Sequence, residues 1–163
     1  MAVSVHIDTS KLKQTKQEMF DIISSKQTAK LLEYAPLQLA NAYNNRSFTN
    51  RTANLADSYV WAVYFMGKIQ GSGYLWNNRE ATTESIYHHT KINGRKLADE
   101  FIKRYKAENF NGWEIVWAAT APYSVILESG SNNMNRFFVL SNMYDEITSD
   151  FKGRAVIELK KNI

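Results

Sequence analysis

The chain is 163 residues long, carries 20 basic and 16 acidic residues for a formal net charge of +4, and contains no cysteine. That length fits one domain with a core large enough to need neither metal nor disulfide, and the lack of cysteine removes disulfide and thiolate chemistry. A charged share of 22% excludes wholesale disorder, and the mild basic excess is spread out as on a solvated surface, not gathered into a nucleic-acid-binding run.

Val3, Val5 and Ile7 alternate with Ser4 and His6 and predict a short N-terminal strand. These first residues have neither a basic region nor a long apolar core, and no apolar run reaches membrane-span length. A soluble, intracellular product with no signal peptide is therefore expected. Asp8, Thr9 and Ser10 offer capping oxygens to a helix over Lys11–Tyr43. Leu12, Met19, Ile22, Ile23, Ala29, Leu32, Ala35, Leu39 and Ala42 recur at mostly three- and four-residue intervals and read as one apolar stripe. Pro36 lacks a backbone donor and crowds the preceding turn, which predicts one bent helix or two pieces.

Asn44–Thr52 reads as a loop. Tyr59–Phe65 is rich in aromatic and β-branched residues and predicts a strand covered on both faces. Gly67, Gly71 and Gly73 read as a bend, with a short return strand at Tyr74–Trp76. Ser85–Tyr87 is a short strand or an ordered loop. A second helix is predicted over Arg95–Ala107, with Leu97, Phe101, Ile102 and Tyr105 on its apolar side. After the Asn111-Gly112 turn, Trp113–Ala119 forms a strand with Ile115 and Trp117 on one face and Glu114, Val116 and Ala118 on the other. The order is helix, strand hairpin, helix, strand pair, helix. It predicts an α+β fold in which a long N-terminal helix, a second helix and a C-terminal helix pack on a mostly antiparallel sheet of about four to five strands. One domain spans 1–163, with a strand and helix in 1–44, the sheet and middle helix in 57–130 and the last helix in 139–161. In that last helix Met143, Ile147, Phe151, Ala155 and Leu159 fall at four-residue steps.

The pattern carries little chemistry. His88 and His89 are adjacent and His6 is remote, so no metal-ligand spacing arises. The three glycines after the aromatic strand lack the Lys-Ser/Thr of a phosphate loop, and Ser124 and Ser129 lie outside a nucleophile elbow. Glu114 and Glu128 read as a strand-surface residue and an interface residue. No catalytic residue, metal or cofactor is expected. The aromatic strand raises an alternative, a nucleic-acid-binding module stacking bases on a sheet face. Tyr59–Met66 contains no Lys or Arg of the kind such a platform interleaves.

Two segments carry a family resemblance. The first is Asn50-Arg51-Thr52-Ala53-Asn54-Leu55-Ala56-Asp57-Ser58, and the second is Ala121-Pro122-Tyr123-Ser124-Val125-Ile126-Leu127-Glu128-Ser129-Gly130. In this order, between a long N-terminal helix and a C-terminal helix, they resemble the tail-completion or neck (head–tail joining, minor tail component) family of tailed bacteriophages. Ala53 stands where that family has Gly, and Ser124 where it has Ala. The resemblance implies a virion structural protein that assembles head-to-tail into an oligomeric ring at the head–tail junction. Its implied partners are its own copies, the portal-connector side and a tail-tube or tail-hub protein. Non-specific contact with packaged DNA is also implied, and a membrane is not. The implied location is the virion, after assembly in the host cytoplasm. The implied subunit-interface candidates are Arg51, Trp61, Tyr123, Glu128 and Arg136.

Overall fold

A computed structural model describes residues 9–45, 54–75, 85–87, 90–129 and 139–151. The predicted N-terminal strand, the loop around Arg51 and the chain beyond residue 151 lie outside these residues.

The first helix, α1, runs over Thr9–Asn44, roughly 54 Å at the usual rise. Pro36 lies inside it without dividing it. Ala35 and Leu39, on either side of the proline, are completely buried, and this packing spans the missing hydrogen bond. The single predicted stripe separates into two faces. Leu31, Ala35, Leu39, Ala42 and Tyr43 enter the core, whereas Met19, Ile22 and Ile23 stay exposed. Three- and four-residue spacing alone does not say which of two helix faces a residue joins.

A short helix, α2, Asn54–Asp57, leads into β1, Tyr59–Phe65. After the turn at Met66 and Gly67, where φ is 48° and 76°, the chain returns as β2, Lys68–Tyr74. The return strand therefore starts earlier than Tyr74 and includes Gly71 and Gly73. At Gly71 the reason is visible, since a Cβ there would sit 2.5 Å from Leu32 of α1. An antiparallel pair of short strands follows, with β3 at Ser85–Tyr87 and β4 at Thr90–Ile92. Next come α3, Gly94–Arg104, and β5, Trp113–Ala119. Two further helices close the described chain, α4 at Ser124–Ser129 and α5 at Val139–Asp150. The predicted second member of the last strand pair is thus the short helix α4.

The main sheet is antiparallel with order β2-β1-β5, and β3-β4 forms a separate ribbon. The expected four to five strands are divided between these two, leaving three in the main sheet. β1 is the middle strand, and its alternation builds three layers. Tyr59, Trp61 and Val63 join Trp113, Ile115 and Trp117 of β5 under α1 and α5. Val60, Ala62 and Tyr64 join Val116 and Ala118 under α3. Two indole N–H groups tie β5 to α1, Trp113 to the Thr28 hydroxyl and Trp117 to the Ala35 carbonyl, each at 2.9 Å.

The start of α3 is locked to α2. Asn93 caps α3 by accepting from the Lys96 amide at 3.0 Å. Asn54 donates to the Ile92 carbonyl at 2.7 Å and accepts from the Gly94 amide. A Cβ on Gly94 would meet the Asn54 carbonyl oxygen at 2.0 Å, so glycine is what permits the close approach.

Candidate interaction surface

The two segments singled out in the sequence come together in space. Tyr59 pairs with Ala119 at one end of the β1–β5 ladder. Just beyond it, Thr120 donates to the Ser58 carbonyl from both its amide and its hydroxyl, at 3.0 Å each. Leu55 and Ala56 of α2 join the same apolar cluster as Ala121, Tyr123 and Leu127. Ser58 is fixed by its hydroxyl on the Leu55 carbonyl, and Ser124 by its hydroxyl on the Ala119 carbonyl, both at 2.7 Å. The described parts of both motifs therefore form one corner of the molecule, 62 residues apart along the chain at the Thr120–Ser58 contact.

Each interface candidate has a definite place. Arg51 and Arg136 lie outside the described residues. Trp61 is 7% exposed and packs beneath α1. Tyr123 is half-buried against the same core. Glu128 reaches from α4 to the first turn of α5. Its carboxylate accepts from the Leu140 amide at 2.8 Å, the Ser141 amide at 3.2 Å and the Ser141 hydroxyl at 3.1 Å. A negative group there satisfies amides with no partner inside the helix and sits at the positive end of its dipole. Glu128 is thus engaged within its own chain, in a role that its isolation in the sequence did not reveal.

Glu114 is likewise more than a strand-surface residue. It accepts from the Tyr105 hydroxyl at 2.6 Å and from the Glu108 and Asn109 amides at 2.8 Å each, closing the loop between α3 and β5. Burial pushes the Tyr105 hydroxyl well above the ordinary tyrosine range, and the Glu114 carboxylate raises it further. Tyr64 is raised for the same two reasons. On the other side of α3, Tyr74 donates to Asp99 while Arg95 lies 3.7 Å over its ring. Burial raises the Tyr74 hydroxyl first, Asp99 adds to this, and Arg95 opposes it. The sequence marked only a turn at Asn111-Gly112; in the structure the Asn111 amide donates to the Asn109 side-chain oxygen beside Glu114.

Glu114 lies near the start of β5 and Glu128 beyond its end, and the oxygens of both accept hydrogen bonds from their own chain. Among the described residues no group of three or more His, Asp or Glu is arranged to hold a metal. His6, His88 and His89 lie outside them. The aromatic strand β1 is buried from Tyr59 to Tyr64, with α1 on one side and α3 on the other. No helix of the described residues is long and apolar enough to cross a membrane.

What remains open to solvent is a set of large apolar side chains at the molecule's edges. Met19, Phe20, Ile22 and Ile23 are exposed on the N-terminal half of α1, Met66 and Ile69 at the β1–β2 hairpin, and Phe110 beside it. A search with family models, a search of curated proteins and a search of solved structures each return no match to this chain.

Proposed function

We propose that this chain is a structural subunit of a tailed-bacteriophage particle, one copy of an oligomeric ring at the head–tail junction that joins the portal-connector to the tail. The observation that carries the reading is the corner where Asn54–Ser58 and Ala121–Glu128 meet. These are the two segments that resemble the neck and tail-completion family, and their convergence is what two parts of one structural motif require. The α+β architecture with a long N-terminal helix agrees with the resemblance. The exposed apolar residues on α1 and at the β1–β2 hairpin suit a protein whose work is contact with other subunits. Glu128 supports the ring indirectly in this reading, by fixing α5 to the motif corner rather than by reaching a neighbour.

The test is the content of purified particles together with pull-down. The expected result is this chain in intact virions by mass spectrometry, and co-purification of the tagged chain with connector or tail-tube proteins expressed beside it. Particles without the chain, and no retention of either partner, would reject the proposal.

A further inference from the structure

The back of α1 carries a stripe that the fold leaves uncovered. Met19, Ile23, Lys26, Lys30, Glu33 and Leu37 recur at alternating four- and three-residue intervals, so they share one side of the helix, away from the buried Leu31, Ala35 and Leu39. Met19 is 58% exposed, Ile22 56%, Ile23 60% and Leu37 56%. Lys16, Lys26 and Lys30 are exposed on the same flank. The face is therefore both apolar and basic.

The same molecule displays a surface of opposite character. α5 buries Met143 and Ile147 and turns Asn142, Asp145, Glu146 and Ser149 to solvent. The adjoining α4 leaves Val125 44% exposed. Among the described residues, none of Lys16, Lys26, Lys30, Asp145 and Glu146 takes part in an ion pair. Among the described residues, then, one patch leaves its apolar side chains exposed and its lysines, which outnumber Glu33, without ion pairs, and the other leaves its acids without ion pairs.

We infer that the basic, apolar back of α1 on one copy docks against the acidic face of α5, with Val125 of α4, on a second copy. The two patches are different parts of the chain, so the contact is head-to-tail. Each copy offers α1 to one neighbour and α5 to the other, which builds a ring when the rotation closes. Burying Met19, Ile22 and Ile23 supplies the attraction, and the lysines opposite Asp145 and Glu146 fix the register. This names the self-contact of the ring proposed above and rests on that reading for its setting, while the contact itself is measured on the isolated protein.

The experiment is sedimentation equilibrium of the full chain over a range of concentrations, with circular dichroism to show that each variant is folded. The wild type should exceed the mass of one chain, and Ile22→Asp with Ile23→Asp should return it to monomer. Lys26→Glu with Lys30→Glu, and separately Asp145→Lys with Glu146→Lys, should each weaken association on the order of tenfold or more. Mixing these two charge-reversed chains should restore it, because each then meets a complementary partner. A wild type that is monomeric at every concentration overturns the inference. So does an oligomer indifferent to the Ile22/Ile23 change, which leaves a ring built through other surfaces, and so does an α5 reversal without effect, which leaves α1 pairing with itself. A chain that associates as described yet is missing from virions sinks the virion assignment and leaves this contact standing.

Discussion

The two faces of the β2-β1-β5 sheet are held by different physics. Under α1 and α5 the contacts are large and apolar, with Leu39, Tyr43, Tyr59 and Val63 completely buried beside Trp113, Ile115 and Trp117. Under α3 the buried set is small, chiefly Val60, Ala62, Ala98 and Ala118, and beside Phe101 and Tyr64 the larger groups include Tyr105 and Tyr74, whose hydroxyls end on Glu114 and Asp99. The first face draws its strength from area removed from water. The second closes by hydrogen bonds from hydroxyls to carboxylates, which depend on which proton is held where. One face should therefore answer to truncation and the other to pH.

The largest effect belongs to the apolar face. Leu39→Ala removes a fully buried side chain where α1 crosses the sheet and should cost about 2–5 kcal/mol, read from the midpoint of urea unfolding. Ile23→Ala on the exposed back of the same helix should stay within about 0.5 kcal/mol for the monomer. Equal losses at the two positions would mean that the two faces of α1 are not different environments.

Much of this layering was readable in advance. The alternation of Ile115 and Trp117 with Glu114, Val116 and Ala118 predicts the two faces as found, because strand geometry forces a period of two. The aromatic run Tyr59–Phe65 predicts a strand covered on both sides, and β1 is one. The extent of β2 was hidden because its glycines read locally as a bend, whereas Gly71 is decided by the approach of Leu32 from a helix far away in sequence. The candidate site was hidden more deeply. Nothing near Glu128 in the chain shows that α5 will begin beside it, and nothing near Ser58 shows that Thr120 will donate to it. Hydrogen bonds between distant segments leave no periodicity to read, and the split of α1 into a buried and an exposed face is decided by what packs against it.

The next effect concerns how α5 is held to the apolar face. Glu128→Ala leaves the first amides of α5 without their acceptor and should cost on the order of 1 kcal/mol. Amide hydrogen exchange should quicken at Leu140 and Ser141 ahead of the rest of α5. Unchanged exchange at those two amides would show that the carboxylate does not cap the helix. Glu128→Lys is the poorer probe of subunit contact, because it reverses a charge at a helix start before any neighbour is involved.

The smallest effect tests the polar face. The Tyr105 hydroxyl is held above its ordinary value of 10.0, first by burial and then by its hydrogen bond to Glu114. The folded chain therefore binds this proton more tightly than the unfolded chain. The resulting stability is fully present below about pH 10 and is lost as pH rises further, toward the raised folded value. Tyr64 and Tyr74 shift in the same direction and add to the slope. Tyr105→Phe removes the hydroxyl but leaves Glu114 its two backbone donors, so near neutral pH it should cost roughly 1 kcal/mol. Urea midpoints compared between about pH 8 and 11 should show the wild-type advantage over Tyr105→Phe shrinking with alkalinity, with no such trend for Leu39→Ala. A constant gap between wild type and Tyr105→Phe across that range would mean that the α3 face, like the α1 face, is held by packing alone.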